Sequence, residues 1–167
     1  MNKNVRKITY AALAAAIVFV VTRIIYFPVG SSGAYVNFGD VAIYFTAFLL
    51  GGPIAAVASA IGSALADLTL GYAIYIPATF VIKGLMGLTA GFIMKSTKFW
   101  IYVTACVIGG AIMTLGYALY ETFLFGFAVA IGNAPGNLIQ WGGSVIIAAL
   151  LFPVVKRIKT TSYFAKL

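Results

Sequence analysis

The stretch "LADLTLGYAIYIPATFVIKGL", residues 65–85, holds one aspartate and one lysine in otherwise apolar sequence, with a Gly-Tyr pair and a proline between them. It reads as two helical arms joined by a tight turn. Gly71 ends the first arm. Pro77 suits the first turn of the second, where its missing N–H is not needed. Asp67 lies about one turn before the break and Lys83 about two turns after it. Both charges therefore belong to one end of the hairpin, and the rest of the chain decides what solvent that end meets.

Of the 167 residues, 63% are hydrophobic and 8% charged, and the mean hydropathy is +1.07. Soluble domains carry roughly 25% charged residues. A small water-soluble fold leaves too much surface exposed to hide this apolar content. The chain reads as an integral membrane protein.

The net charge of +8 does not point to nucleic acid. The basic residues gather at Lys3, Arg6 and Lys7, at Lys95 and Lys98, and at Lys156, Arg157, Lys159 and Lys166, leaving only Arg23 and Lys83 elsewhere. Such clusters between apolar spans follow the positive-inside rule. The single cysteine, Cys106, excludes an internal disulfide and reads as a small hydrophobe. With no histidine and three acids, no protein-built metal site is expected. The apolar run after the basic start, Ile8 to Phe27, is about 20 residues and long enough to span. No small-x-small cleavage pattern follows it, so it is expected to be a retained helix.

Six spans can be placed, at about 5–27, 37–51, 53–71, 77–95, 99–123 and 135–157, the second being short for a bilayer. The breaks fall at Pro28 with Gly30 and Ser31-Ser32-Gly33, at Gly51-Gly52-Pro53, between Gly71 and Pro77, and at Gly132 to Gly136. The expected fold class is an all-α integral membrane protein, a six-transmembrane-helix bundle forming a single membrane domain over 1–167. The basic N-terminus, 95–98 turn and C-terminus are expected to be cytoplasmic, because the loops near 28–36, 72–76 and 124–134 carry no charge.

In that topology Arg23, Asp40, Asp67, Lys83 and Glu121 all fall in the outer half. Charges at membrane depth are costly and normally face a partner or a wet cavity. Arg23, Asp40 and Asp67 sit near helix ends and read as a structural polar network, with Asp67 positioning the turn or Lys83. Lys83 lies deeper, and Glu121 stands among Tyr117, Tyr120 and Phe123. Asn37, Tyr72, Tyr75, Thr79, Asn133, Asn137 and Gln140 share their level. Asn137 and Gln140, three apart, share one face at the start of the sixth helix. Asn133 is placed in the loop before it, in "GNAPGN". Tyrosines alone describe an interfacial belt. Carboxamides, a lysine, a glutamate and rings converging from several helices describe an outward-facing pocket for a small polar molecule such as a flat ring.

The opposite half is apolar and small. "YAALAAA" in the first helix gives the pairs Ala11/Ala15 and Ala12/Ala16, and the third helix repeats the pattern with Ala56, Ala60 and Ala64 beside Ala55, Ser59 and Ser63. Such faces let helix backbones approach closely. They are expected to serve both internal packing and a partner in the membrane.

Residues 35–91, "YVNFGDVAIYFTAFLLGGPIAAVASAIGSALADLTLGYAIYIPATFVIKGLMGLTAG", resemble the substrate-binding S components of energy-coupling factor (ECF) transporters. The similarity points to the riboflavin-type and hydroxymethylpyrimidine/pyridoxine-type branch. It extends over the whole chain through the helix count, the N-terminal alanine motif and the break before the last helix. The resemblance implies capture of a B-vitamin or precursor from outside, in a site occluded by the first outer loop. It also implies docking on a transmembrane coupling subunit driven by two ATP-hydrolysing subunits in a prokaryotic plasma membrane, followed by toppling to release the ligand inside. Docking then maps onto Ala11, Ala12, Ala15 and Ala16. Ligand contacts map onto Lys83, Tyr117, Glu121, Asn133, Asn137 and Gln140, with Asn37 from the first loop. Tyr75 joins them from its position at the same level.

No GxxxxGK[ST] loop occurs, so ATP is left to a partner chain. A membrane enzyme using Glu121 and Lys83 as acid and base lacks an accompanying Ser/His, metal or nucleotide arrangement. A channel needs polar residues through the full depth. Within the branch, pyridoxine or hydroxymethylpyrimidine is favoured over riboflavin, and no cofactor is expected.

Overall fold

The computed structural model describes residues 3–29 and 34–161. Its elements run α1 (Lys3–Ile24), β1 (Tyr26–Val29), β2 (Ala34–Asn37), α2 (Gly39–Leu50), α3 (Gly52–Leu70), a 3₁₀ turn (Ala73–Tyr75), α4 (Ile76–Ile93), α5 (Phe99–Phe125), α6 (Phe127–Leu150) and α7 (Phe152–Thr160). Four of these helices are long and apolar enough to cross a bilayer, or five spans if the bent α6–α7 pair counts as one. With 12 residues, α2 is about 18 Å long, well short of a hydrocarbon core of about 30 Å.

Three expected boundaries are corrected. First, α1 stops at Ile24 rather than at 27, and an antiparallel hairpin follows it, pairing Tyr26 with Asn37 and Pro28 with Tyr35. Pro28 can neither donate an N–H nor continue a helix, so the aromatic and β-branched residues around it pair as strands. The all-α expectation thus holds except for this small sheet. The break residues 30–33, like Lys166, lie outside the described residues.

Second, the loop expected over 124–134 contracts to Gly126, whose φ of 90° reverses the chain at once. "GNAPGN" is helical, and Pro135 sits inside α6. Within a bilayer, coil would strand several backbone groups, whereas an intramembrane proline strands only one. Asn133 is therefore a helical residue, not a loop residue.

Third, the last span is not continuous to 157. It bends by 54° between α6 and α7, where Pro153 occupies the first turn of α7.

The hairpin and the α3–α4 turn lie at one end of the bundle, and the start of α1 and the end of α7 at the other. At the end where α7 lies, Lys159 donates to the carbonyls of Phe48 (2.6 Å) and Met94 (3.4 Å), satisfying one carbonyl in the last turn of α2 and the C-cap carbonyl of α4. Nearby, Phe48, Tyr102 and Phe152 pack ring against ring. Cys106 is buried as expected, and its carbonyl accepts from the Tyr44 hydroxyl at 2.8 Å.

Helix α3 packs against both α1 and α4, with Ala55, Ala58, Ser59 and Ser63 buried. A methyl group added at Gly62 would lie 2.5 Å from the Ala15 carbonyl, and one at Gly91 would lie 2.3 Å from the Gly52 nitrogen. These contacts are backbone against backbone and cannot yield by rotamer changes. Gly91→Ala is expected to cost about 1–3 kcal/mol, read as roughly 2–4 °C of melting temperature per kcal/mol in detergent. Gly132→Ala, with nothing within 4 Å of the added methyl, is the control and should not lower it.

The four alanines of α1 divide. Ala15 is half-buried against α3, as is Ala11 in its own surroundings, while Ala12 and Ala16 are exposed. Beside them, between α1 and α2, runs an apolar groove of about 580 Å³ whose walls include Leu13, Ile17, Val41 and Phe45.

Candidate ligand-binding site

Under the hairpin lies a small cavity. Tyr35 and Asn37 of β2 roof it, Asp67 and Thr79 come from α3 and α4, Tyr75 from the 3₁₀ turn, Tyr117 and Glu121 from α5, and Asn137 and Gln140 from α6. Each arrives for a local reason. The Gly71 C-cap, with φ of 86°, ends α3 one turn after Asp67. Pro77 starts α4 so that Thr79 sits in its first turns. Asn137 and Gln140 project from one face of α6.

The hairpin is held down at two points. The Tyr35 hydroxyl donates to Asp67, and its ring stacks on Tyr72 with centroids 4.7 Å apart. Burial, with the Asp67 carboxylate beside it, pushes the Tyr35 phenol well above its usual range, so it remains a donor. At the other point the Asn37 backbone N–H donates to Oε1 of Gln140 at 2.9 Å. Gln140 passes the connection on, its Nε2 donating to Oδ2 of Asp40 at 2.8 Å, and Asp40 pairs with Lys83. Lys83 and Asp40 are 2% and 0% exposed. Isolated buried charges are prohibitive, so this pair is sustained by its mutual contact and the Gln140 bond.

Two sequence expectations are corrected here. Lys83 pairs with Asp40 from α2, not with Asp67 across the turn. It does not line the cavity, and its Nζ lies 5.7 Å from the Tyr117 ring centroid beneath it. Arg23 stands apart from the acids, with its guanidinium 6.0 Å from the Tyr26 ring centroid. Sequence spacing ties Asp67 to Lys83 because they share a hairpin. Only the packing of α2 against α4 brings Asp40 closer.

The remaining groups surround the cavity. Thr79 and Tyr117 share a hydrogen bond of 2.9 Å. Tyr75 donates to Oε1 of Glu121 at 3.2 Å and packs against the rings of Tyr117, Tyr120 and Phe125. Asn133 is buried beside the same glutamate but outside the cavity lining. Thr79 also lies near Asp67, although its hydroxyl is engaged with Tyr117. Oδ2 of Asp67 and Oε2 of Glu121 are buried without a hydrogen-bond partner.

Of the residues expected at a pocket, Asn37, Tyr75, Tyr117, Glu121, Asn137 and Gln140 converge, while Lys83 and Asn133 stand behind it. Tyr35, Thr79 and Asp67 line it as well. Thr79 was visible only as one more polar residue at the right depth. Tyr35 could be recognised only as part of "YVNFGD", because a tyrosine at an interface is ordinary.

The family described as ECF-type riboflavin transporter, S component, matches residues 2–157. Over 141 residues the chain is 33% identical to an uncharacterised protein in the gap 3′ region of Pyrococcus woesei, covering 84% of this chain and 95% of that one. It is 30% identical over 167 residues to the thiamine precursor transporter HmpT of Lactococcus lactis subsp. cremoris (strain MG1363), covering 99% and 96%. A solved S component of a bacterial ECF transporter shares the fold, with a TM-score of 0.75 at 21% identity over 95% of this chain and 99% of that one. Matched over nearly its whole length, the chain belongs to the ECF-type riboflavin transporter S-component family, whose members are membrane-embedded, substrate-binding vitamin-uptake subunits and not enzymes.

Proposed function

We propose that this chain captures a one-ring vitamin precursor, hydroxymethylpyrimidine or the closely similar pyridoxine-type vitamin B6, with high affinity from outside the cell. The hairpin end faces outward. The termini and Lys95, Lys98, Lys156 and Arg157 face the cytoplasm of a prokaryote, in keeping with the positive-inside rule. The bundle is a single membrane domain crossing six times, with α2 as the short span. It delivers its ligand by toppling on a transmembrane coupling subunit served by two ATPase subunits.

The cavity under the hairpin carries this reading: rings and carboxamides from α5 and α6, with Glu121 among them, meet there. Its volume of about 30 Å³ compares with the ~150 Å³ that accommodates benzene. A ring therefore enters only when the Tyr35–Asp67 and Asn37–Gln140 contacts open and the hairpin lifts. The likeness to a thiamine precursor transporter favours a pyrimidine. Riboflavin is the second reading, favoured by the description of the matched family, and its three rings demand a larger displacement.

Calorimetry on the purified protein with hydroxymethylpyrimidine, pyridoxine and riboflavin tests the assignment. Submicromolar binding of a one-ring compound without chemical conversion is expected. Tighter binding of riboflavin would replace the ligand, and conversion of any of them in the absence of partners would overturn the transport reading.

A further inference from the structure

We infer that the site selects its ligand by charge: it accepts a neutral or cationic ring bearing hydrogen-bond donors and rejects the phosphate ester of the same compound. This rests on the cavity being the ligand site proposed above.

Two carboxyl groups reach the cavity from different helices, Asp67 from α3 and Glu121 from α5. Each keeps one buried oxygen without a hydrogen-bond partner. A buried acceptor left unpaired is costly, so both oxygens suit donors brought by a guest. The cavity lining contributes no cation to offset them, and the charge of Lys83 reaches Asp67 only from behind that lining. Lys83 is held by Asp40 and Arg23 lies against Tyr26. The other lysines and arginines among the described side chains are at the opposite end of the bundle.

A phosphate group needs cations or a cluster of free N–H donors. The helix starts at the cavity do not provide such a cluster. Helix α2 carries Asp40 in its first turn, and α4 has Pro77 in place of a donor. A phosphate in this cavity would meet two carboxyl groups at short range in a medium that screens poorly.

Matched pairs separate this inference from the identity of the vitamin. Binding is measured on the purified protein for hydroxymethylpyrimidine, pyridoxine and riboflavin, each against its monophosphate ester. In whichever pair binds, the ester should bind weaker by on the order of 100-fold. Glu121→Gln and Asp67→Asn remove charge at nearly constant shape, so each should narrow that ratio by about tenfold. An ester within about threefold of its alcohol, or a ratio unmoved by both variants, overturns charge selection while leaving the vitamin reading standing. Failure of every unphosphorylated compound to bind overturns both.

Discussion

Lys83→Met is expected to lower stability by about 3–5 kcal/mol, the cost of leaving a buried charge without its partner. Asp40 is fully buried in α2, and once Lys83 is gone its remaining side-chain bond is the one from Gln140. For a chain of this length that corresponds to roughly 10 °C of melting temperature, at 2–4 °C per kcal/mol. Adding Asp40→Asn should recover more than half of the loss. It removes the unpaired charge yet keeps an oxygen to accept from Gln140. A single variant that melts with the parent protein, or a double variant no better than the single, would rule out the ion pair as a structural element. Any loss of ligand binding in Lys83→Met should follow the loss of fold, since the lysine lies behind the cavity lining.

The second large effect is expected at the alanine face of α1. Ala16→Trp should leave ligand binding unchanged and reduce transport by the complete assembly to background. Ala16 is exposed, about two helical turns from the hairpin end of α1, and outside the cavity lining, so the indole should leave the ligand site intact. Against a partner helix it would hold two backbones apart where small residues allow close approach. Ala15 is a poor probe, because its backbone touches α3 at Gly62 and a substitution there confounds docking with folding. Uptake measured in cells beside binding measured on the purified variant separates the two steps. Normal uptake by Ala16→Trp would remove this face from the docking surface.

Membrane residence, the approximate limits of most helices and the end of the bundle to which the polar residues belong were legible in the chain. A bilayer has one axis, so hydropathy and charge order residues along it directly. The segment 65–85 accordingly yielded its turn, its proline-started arm and the end to which Asp67 and Lys83 belong. Depth does not say which residues at one level face each other. Sequence spacing favoured Asp67 as the neighbour of Lys83, and the packing of α2 against α4 selected Asp40 instead.

Local breakers misled for a related reason. The glycines and proline of "GNAPGN" are loop formers in water, but in a bilayer an unpaired backbone costs more than a proline inside a helix. The chain therefore turned at Gly126 instead. The β1–β2 hairpin that roofs the cavity also escaped the sequence pattern, because its closure depends on Tyr35 reaching Asp67 and Asn37 reaching Gln140. Sequence by itself determined the solvent and the level of each group. Tertiary structure alone decided the pairing, because contacts among residues from distant helices are set by rotation and packing about the membrane axis, which composition and spacing do not specify.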